Sequence, residues 1–316
     1  MSRKLVKAIS PNSKELSSKL TVNLETIAKI NRNVITGHSN KKNENVTIYR
    51  LLSHVFRRPY LAVSPETSFI ELGTYLAIGY QIYVDGLIVA VDKRLVGRLS
   101  GRHILNRIIK MKYNEWPSIT ADQLMELSLS SVDRQASLIQ LLELFYESRF
   151  ALAPITNKGV LIGSIGIRDV LPLIRELNLD TPITTICSPM ITISSSLSLK
   201  AAIELMLQKN IRNVVIERDR PSDHYIINDR KILEFIFSYE GRKTIELNDC
   251  SAALSSISVD KIDSIPVVSV PKETTISKAA TMLMNISTPL LVFDDYLVTP
   301  WDVVMKTTGI ENLTPA

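Results

Sequence analysis

Cysteine is nearly absent from this sequence: Cys187 and Cys250 are the only two in 316 residues. They show no CxxC spacing and no histidine cluster lies near them, which argues against a disulfide framework or a zinc site and leaves two partly buried thiols. Long apolar runs are missing as well. Stretches such as Leu87 to Val91 and Ile265 to Val268 fall well short of the roughly 20 residues that a membrane-spanning helix needs, and no N-terminal apolar run precedes a small-residue cleavage site. The expectation is a soluble, cytoplasmic chain with no membrane attachment. The four histidines, His38, His54, His103 and His224, are scattered, and no glycine-rich loop ending in GK[ST] occurs. Neither a catalytic constellation nor a catalytic cofactor is therefore expected, and the chain does not read as an enzyme.

What is present is an apolar content of 45%, enough to bury a core in each of two ordinary domains. The charge is unevenly spread. Residues 1–58 hold twelve Lys or Arg against Glu15, Glu25 and Glu44, so this segment carries +9 of a chain total of +5, and the rest is net acidic. Local basicity of that kind suits an acidic partner such as nucleic acid, or simply a solvated tail.

A repeat organises the rest. Four segments begin with a β-branched residue, run through five mostly polar or turn-forming residues and reach an apolar residue six positions on: Val63 to Phe69, Val132 to Leu138, Ile193 to Leu199 and Val270 to Ile276. Each predicts a short strand turning into a helix. Leu199, Ala202, Ile203, Leu205 and Met206 recur at helical spacing in the third, as do Ile276, Ala279, Ala280, Leu283 and Met284 in the fourth. Hairpins are predicted from Leu87–Val91 with Leu95–Leu99, Leu152–Ile155 with Val160–Ile165, and Leu290–Phe293 with Tyr296–Val298, each divided by turn residues. Second helices are predicted at Val170–Glu176 and Asp302–Thr307. Units of strand, helix, strand, strand, helix then start 61 to 77 residues apart. Each is too small to stand alone, so neighbours should pair.

Val63 through Leu76 (VSPETSFIELGTYL), Asn210 through Ile216 beside a family pattern GIRRLPVV, and Leu95 through His103 beside LVGxxTxxD make the chain resemble the CBS (cystathionine beta-synthase) domain family over roughly residues 46–309. The resemblance implies an α/β (α+β) fold of four β-α-β-β-α motifs in two pseudo-twofold pairs. The expected divisions are 1–45, a basic helical segment plus linker; 46–177, a first pair with motifs at about 46–110 and 120–177; and 178–316, a second pair with motifs at about 182–238 and 255–309. Residues 46–53 and 182–190 would be lead-in segments. It also implies clefts for adenosine nucleotides such as AMP, ADP or ATP, and a regulatory role exerted on a separate protein partner, with a homodimer through the pairs as one arrangement.

The family places a Ser or Thr, and an Asp three residues later, where the second hairpin strand enters the second helix, a position rich in free N–H groups. Here the pairs are Ser100 and His103, Gly166 and Asp169, Asn228 and Lys231, Thr299 and Asp302. Only the fourth is intact, so the second pair is expected to bind more tightly, with Asp302 a solvent-exposed ribose ligand or a plain helix cap. The residue before the acid position is Arg102, Arg168 and Arg230 in three motifs and Trp301 in the fourth. Guanidinium groups there suit phosphate, Arg230 serving the nucleotide held by Asp302. An adenine slot is expected from Val267, Val268, Thr288, Pro289 and Leu290, some of which are core.

Residues 13–32 read as a helix-turn-helix-like segment, with Asn23 as a cap and Thr26, Lys29 and Arg32 facing outward toward DNA. Thr21 replaces the usual turn glycine, and the segment is short, so an amphipathic hairpin packed on the pairs competes with it. Residues 31–45 read as linker. Three functions stand side by side: a nucleotide sensor, a transcriptional regulator controlled by it, and an assembly protein with empty sites.

Overall fold

In a computed structural model of the chain, residues 28–30, 46–79, 85–218, 223–247 and 249–310 are described. The first helix of every motif starts at the apolar residue that ends the repeat's spacing, and the reason is local. Ser68, Ser137, Ser198 and Thr275 precede those residues, and each side-chain oxygen accepts the backbone N–H three positions on, which supplies one of the helix's otherwise unmet donors.

Motif 1 follows a short helix α1 (Ile48–Leu51) and comprises β1 (Ala62–Val63), α2 (Phe69–Ile78), β2 (Leu87–Val91), β3 (Arg94–Leu99) and α3 (Gly101–Ile108). Motif 2 opens with β4 (Glu126–Leu127) and continues through β5 (Val132–Asp133), α4 (Leu138–Ser148), β6 (Leu152–Asn157), β7 (Val160–Gly166) and α5 (Leu171–Arg175). Motif 3 has β8 (Ser188–Pro189), β9 (Thr192–Ile193), α6 (Leu199–Lys209), β10 (Asn213–Ile216), β11 (Tyr225–Asn228) and α7 (Asp229–Phe237), followed by two helices the repeat does not foresee, α8 (Tyr239–Glu246) and α9 (Cys250–Ser256). Motif 4 closes the chain with β12 (Ile265–Pro266), β13 (Val268–Ser269), α10 (Ile276–Leu283), β14 (Leu291–Phe293), β15 (Tyr296–Val298) and α11 (Pro300–Thr308). In the last repeat the strand is at Val268–Ser269, two residues before the expected Val270.

Within each motif the first strand pairs parallel to the hairpin's first strand, as in Ala62 opposite Ile88, and the hairpin itself is antiparallel. The lead-in segments cross over. β4 adds to the sheet of motif 1, β12 to that of motif 3, and β8 to that of motif 4. The lead-in of motif 1 does the same with motif 2, Ile48 N–H donating to the Ala136 carbonyl at 2.8 Å. Motifs 1 and 2, and motifs 3 and 4, are thus laced together in sequence order.

The large cores run the other way. One joins Phe69, Leu72 and Leu76 of motif 1 to Leu199, Ile203, Ile232 and Ile236 of motif 3. The other joins Leu138, Leu142 and Ile174 of motif 2 to Ile276, Ala280, Leu283 and Val303 of motif 4. Among the described residues, the buried apolar cluster between the sheets of motifs 1 and 2 is the small set Ile88, Leu95, Leu152 and Leu161, and that between the sheets of motifs 3 and 4 is Ile226, Leu290 and Val292. The expectation of a separate core for each half of the chain is corrected here. Each helical layer presents apolar residues on both sides, one to its own sheet and one to a helix of the opposite pair, so burial is completed only when the pairs meet.

The helix-turn-helix-like reading falls mostly outside the described residues, Asn23, Thr26 and Arg32 included, as does the linker at 31–45. Of that segment residues 28–30 form a turn of helix in which Lys29 is exposed and Ile30 is buried in the core of motifs 2 and 4. Among the described residues no helix is long and apolar enough to cross a membrane.

Candidate functional site

The start of each second helix is built by a cap three residues long. In motif 4, Thr299 caps α11: its N–H and Oγ1 donate to Asp302 Oδ2 at 2.9 and 2.6 Å, and Asp302 N–H donates back to Thr299 Oγ1 at 3.2 Å. In motif 1 His103 takes the place of the acid, its Nδ1 lying 3.1 Å from the Ser100 backbone N and 2.9 Å from Ser100 Oγ. In motif 2 Gly166 N–H donates to Asp169 Oδ2 at 2.7 Å, and in motif 3 Asn228 Oδ1 accepts from Lys231 N–H at 2.9 Å. The four sequence pairs are therefore helix N-caps with their third-position partners.

These helix starts meet in the middle of the molecule. Space at the start of α3 is so tight that a Cβ on Gly101 would lie 2.5 Å from Asp229 Oδ2 at the start of α7, which accounts for glycine there. Around the junction lies a cavity of about 820 Å³ walled by all four motifs. Its lining carries Arg102, Arg149, Arg168, Arg212, Arg230 and Lys231 against Asp85, Glu126, Asp229 and Asp302, with helix N-termini adding to the positive potential. The apolar part of the lining, largely from motifs 3 and 4, includes Ile191, Ile265, Pro266, Pro289, Leu297 and Trp301.

Seven of the expected residues line this cavity: Ser100, Arg102, Arg168, Arg230, Thr299, Asp302 and, as the one member of the adenine slot, Pro289. The others are placed elsewhere. Leu290 is fully buried between the sheets of motifs 3 and 4, with Val267 packed against the same cluster; Val268 packs on the core of motifs 2 and 4, and Thr288 is buried. Asp169 is buried in a bidentate pair with Arg58, at 2.7 and 2.6 Å, behind the lining. Burial raises its carboxyl above the ordinary range, against the pull of Arg58.

Asp302 is 5% exposed, which corrects its expected position in solvent. The carboxylate is also engaged on its other oxygen: Oδ1 accepts from Ser188 Oγ at 2.7 Å and pairs with Lys306 Nζ at 2.8 Å, and Lys306 in turn donates to the Cys187 carbonyl. The charge at this end of the cavity is balanced within the protein.

The repeated arginines share a second task. Arg102 of motif 1 donates to Asn210 Oδ1, the residue that ends α6 of motif 3. Arg168 of motif 2 donates to the Leu283, Asn285 and Thr288 carbonyls at the end of α10 in motif 4. Arg230 of motif 3 donates to the Leu76 carbonyl of α2 in motif 1 at 2.7 Å. Each arginine thus reaches the C-terminal end of a helix in the opposite pair, Arg168 and Arg230 on backbone carbonyls and Arg102 on a side-chain amide, where the negative dipole end favours a cation. Arg230 is 3% exposed, and burial pulls its guanidinium down to about 10.

Asp85, Arg149, Phe150, Arg212 and Asp229 line the cavity without having been singled out from the sequence. Arg212 pairs with Asp229 at 3.1 Å and Asp85 at 3.3 Å. Burial alone would lower its guanidinium, yet the two carboxylates hold it above the ordinary value. The available signal was placement: Arg212 lies inside the Asn210–Ile216 pattern, immediately before β10, and Arg149 stands at the end of α4 where Asn210 stands at the end of α6. Arg149 also ends α4 in the left-handed region at φ 53°, a position usually given to Gly or Asn.

Comparison with known proteins agrees with this geometry. The family model described as "CBS domain" matches residues 121–176 and 183–238, which are motifs 2 and 3. No curated protein matches the sequence. Among solved structures, a protein from Methanocaldococcus jannaschii, proposed as an archaeal homologue of g-AMPK, covers 85% of this chain and 100% of its own at 15% identity, with a TM-score of 0.70. A CBS-domain-containing protein from Agrobacterium tumefaciens covers 40% of this chain and 98% of its own at 20% identity, with a TM-score of 0.35. CBSX2 in complex with AMP covers 38% and 91% at 25% identity, with a TM-score of 0.32. Residues 121–176 and 183–238 are thus two tandem CBS domains, set in a fold that repeats the same motif four times.

Proposed function

We propose that the chain is a non-catalytic regulator that binds an adenosine nucleotide in the central cavity and signals its occupancy to a partner protein through the packing of its two pairs. The observation that carries this reading is the surplus of arginines from three motifs in the lining of a cavity bounded by all four motifs, which also has apolar residues in its lining. Arg102 and Arg149 are the phosphate ligands in this reading, and Ile191, Pro266, Pro289 and Trp301 provide a surface for a base. The position first read for ribose, Asp302, is held by Lys306 and Ser188. Because the cavity touches all four motifs, a ligand that prefers one arrangement of the pairs shifts the molecule toward it.

Melting of the full chain with AMP, ADP, ATP and adenosine tests the reading. A ligand bound by the folded state alone adds about 2.7 kcal/mol at a hundredfold excess over Kd. The phosphate-bearing ligands should raise Tm with concentration, and Arg102→Ala should reduce the rise. A flat response to all of them would favour an assembly protein with an empty cavity.

A further inference from the structure

We infer that the lead-in of motif 1, together with the turn after β5, forms a surface that takes single-stranded nucleic acid; none of its residues lines the cavity, and the inference does not rest on the nucleotide reading. The basic charge concentrated in residues 1–58 reaches the described surface at α1 and just after it, where Arg50, His54 and Arg57 are exposed. Two hydrogen bonds set this segment beside motif 2: Ile48 N–H donates to the Ala136 carbonyl at 2.8 Å, and Tyr49 N–H to the Arg134 carbonyl at 3.2 Å. Tyr49, 44% exposed, is the centre of the surface. The Arg134 guanidinium lies 5.3 Å from its ring centroid, and the Phe56 ring meets it edge-on at 5.0 Å. Exposed Lys158, in the turn between β6 and β7, adds a cation beside Asp133, whose Oδ2 accepts its backbone N–H at 3.3 Å.

Charge and packing select the partner. Arg50, Arg57, Arg134 and Lys158 outnumber Asp133, the one acid of these segments, and among the described residues no carboxylate pairs with Arg57, Arg134 or Lys158. A polyanion balances such a surplus. A lipid surface would need apolar side chains to insert, but Val46, Ile48, Leu51, Leu52 and Val55 of the lead-in are all buried in the core of motifs 2 and 4. An acidic peptide would meet the cations and leave the aromatic ring without a role. Single-stranded nucleic acid meets both, with phosphates for the guanidinium groups and unpaired bases to stack on Tyr49 and Arg134. The surface is also fixed in place: Arg58, next after Arg57, closes on buried Asp169 through bonds of 2.7 and 2.6 Å, so little ordering is left to the binding step.

Fluorescence anisotropy of the full chain with a labelled oligothymidine of about 20 nucleotides, longer than a single basic groove needs, tests the surface. Affinity should fall as salt rises, and Arg57→Gln and Arg134→Gln should each make the log–log slope shallower by about 0.7, the share of one phosphate contact on a single strand. Tyr49→Ala should weaken binding about fivefold or more, in the range of one base stacked on an aromatic ring, whereas Tyr49→Phe keeps the ring and should bind like the parent. Equal binding by the parent and by the double variant Arg57→Gln, Arg134→Gln would put the contact on residues 1–45 and overturn the inference. Polyglutamate of similar charge bound as tightly as the oligonucleotide would make this a surface for acidic peptides and overturn it too, as would no binding of the oligonucleotide at low salt.

Discussion

Gly73 lies in the middle of α2, and replacing it by Ala sets two physical effects against each other. Within a helix Ala is favoured over Gly by about 1 kcal/mol, so a reading confined to the helix expects a more stable protein. In the tertiary structure a Cβ at Gly73 would fall 2.0 Å from Cζ and 2.1 Å from Cε2 of Phe237, which ends α7 in the opposite pair. That ring cannot simply swing away, because it is 8% exposed and packs with its centroid 5.7 Å from Phe69 and 5.3 Å from Trp116. Forcing extra volume into such a cluster costs about 1–3 kcal/mol, and with a contact this short the upper half of that range applies. Subtracting the helical gain leaves a net loss of about 1–2 kcal/mol, or a fall in Tm of about 2–5 °C for a chain of this size. Urea unfolding of Gly73→Ala, Phe237→Leu and the double variant measures it. The smaller side chain should relieve the methyl, giving a coupling energy of about 1 kcal/mol or more between the two sites. A Gly73→Ala protein more stable than its parent, or a strictly additive double variant, would refute the packing of the two pairs through α2 and α7.

Three further outcomes are expected. Asp302→Ala should lower ligand-free stability by about 2 kcal/mol or more in a thermal melt, somewhat below the 3–5 kcal/mol of a fully buried broken pair because Lys306 is partly exposed; an unchanged melt would mean that the carboxylate is not engaged as described. Arg230→Met removes the charged donor to the Leu76 carbonyl, which keeps the Gly79 N–H, and should cost about 1.5–3 kcal/mol in urea unfolding; normal stability with weakened AMP binding would instead make Arg230 a ligand residue. Burial, followed by the charge of Arg102, holds the His103 imidazole below its ordinary value of 6.5 despite Glu126. The fold therefore favours neutral His103, its contribution is complete above that value, and it is lost as pH falls from there through the lowered folded value. Unfolding midpoints measured between pH 7.5 and 5 should drop less in His103→Gln than in the parent.

The four motif starts were legible because they are local: a β-branched residue, a capping Ser or Thr and an apolar stripe determine where each helix begins regardless of what surrounds it. The hairpins were legible for the same reason, being apolar runs around turn residues. Helices α8 and α9 were not, since they lie outside the repeat and contribute Ile245, Cys250 and Leu254 to a core assembled from elsewhere. At the site, the sequence identified the caps and the arginines as positions and left their partners unknown. Which helix end Arg168 closes and that Arg212 reaches Asp85 as well as Asp229 depend on segments that tertiary packing alone brings together, whereas the Lys306–Asp302 pair is an i,i+4 contact within one helix.

Spacing and capping chemistry act over six or seven residues, so the sequence by itself determined the elements of each repeat and their order. Which motifs share a core was decided by the tertiary structure. The helices of motif 1 bury their outer face only against motif 3, and those of motif 2 only against motif 4, because apolar area left by one pair is matched by the other. That crossing also brings the four helix starts to one cavity, and it carries Arg212 of motif 3 to Asp85 of motif 1.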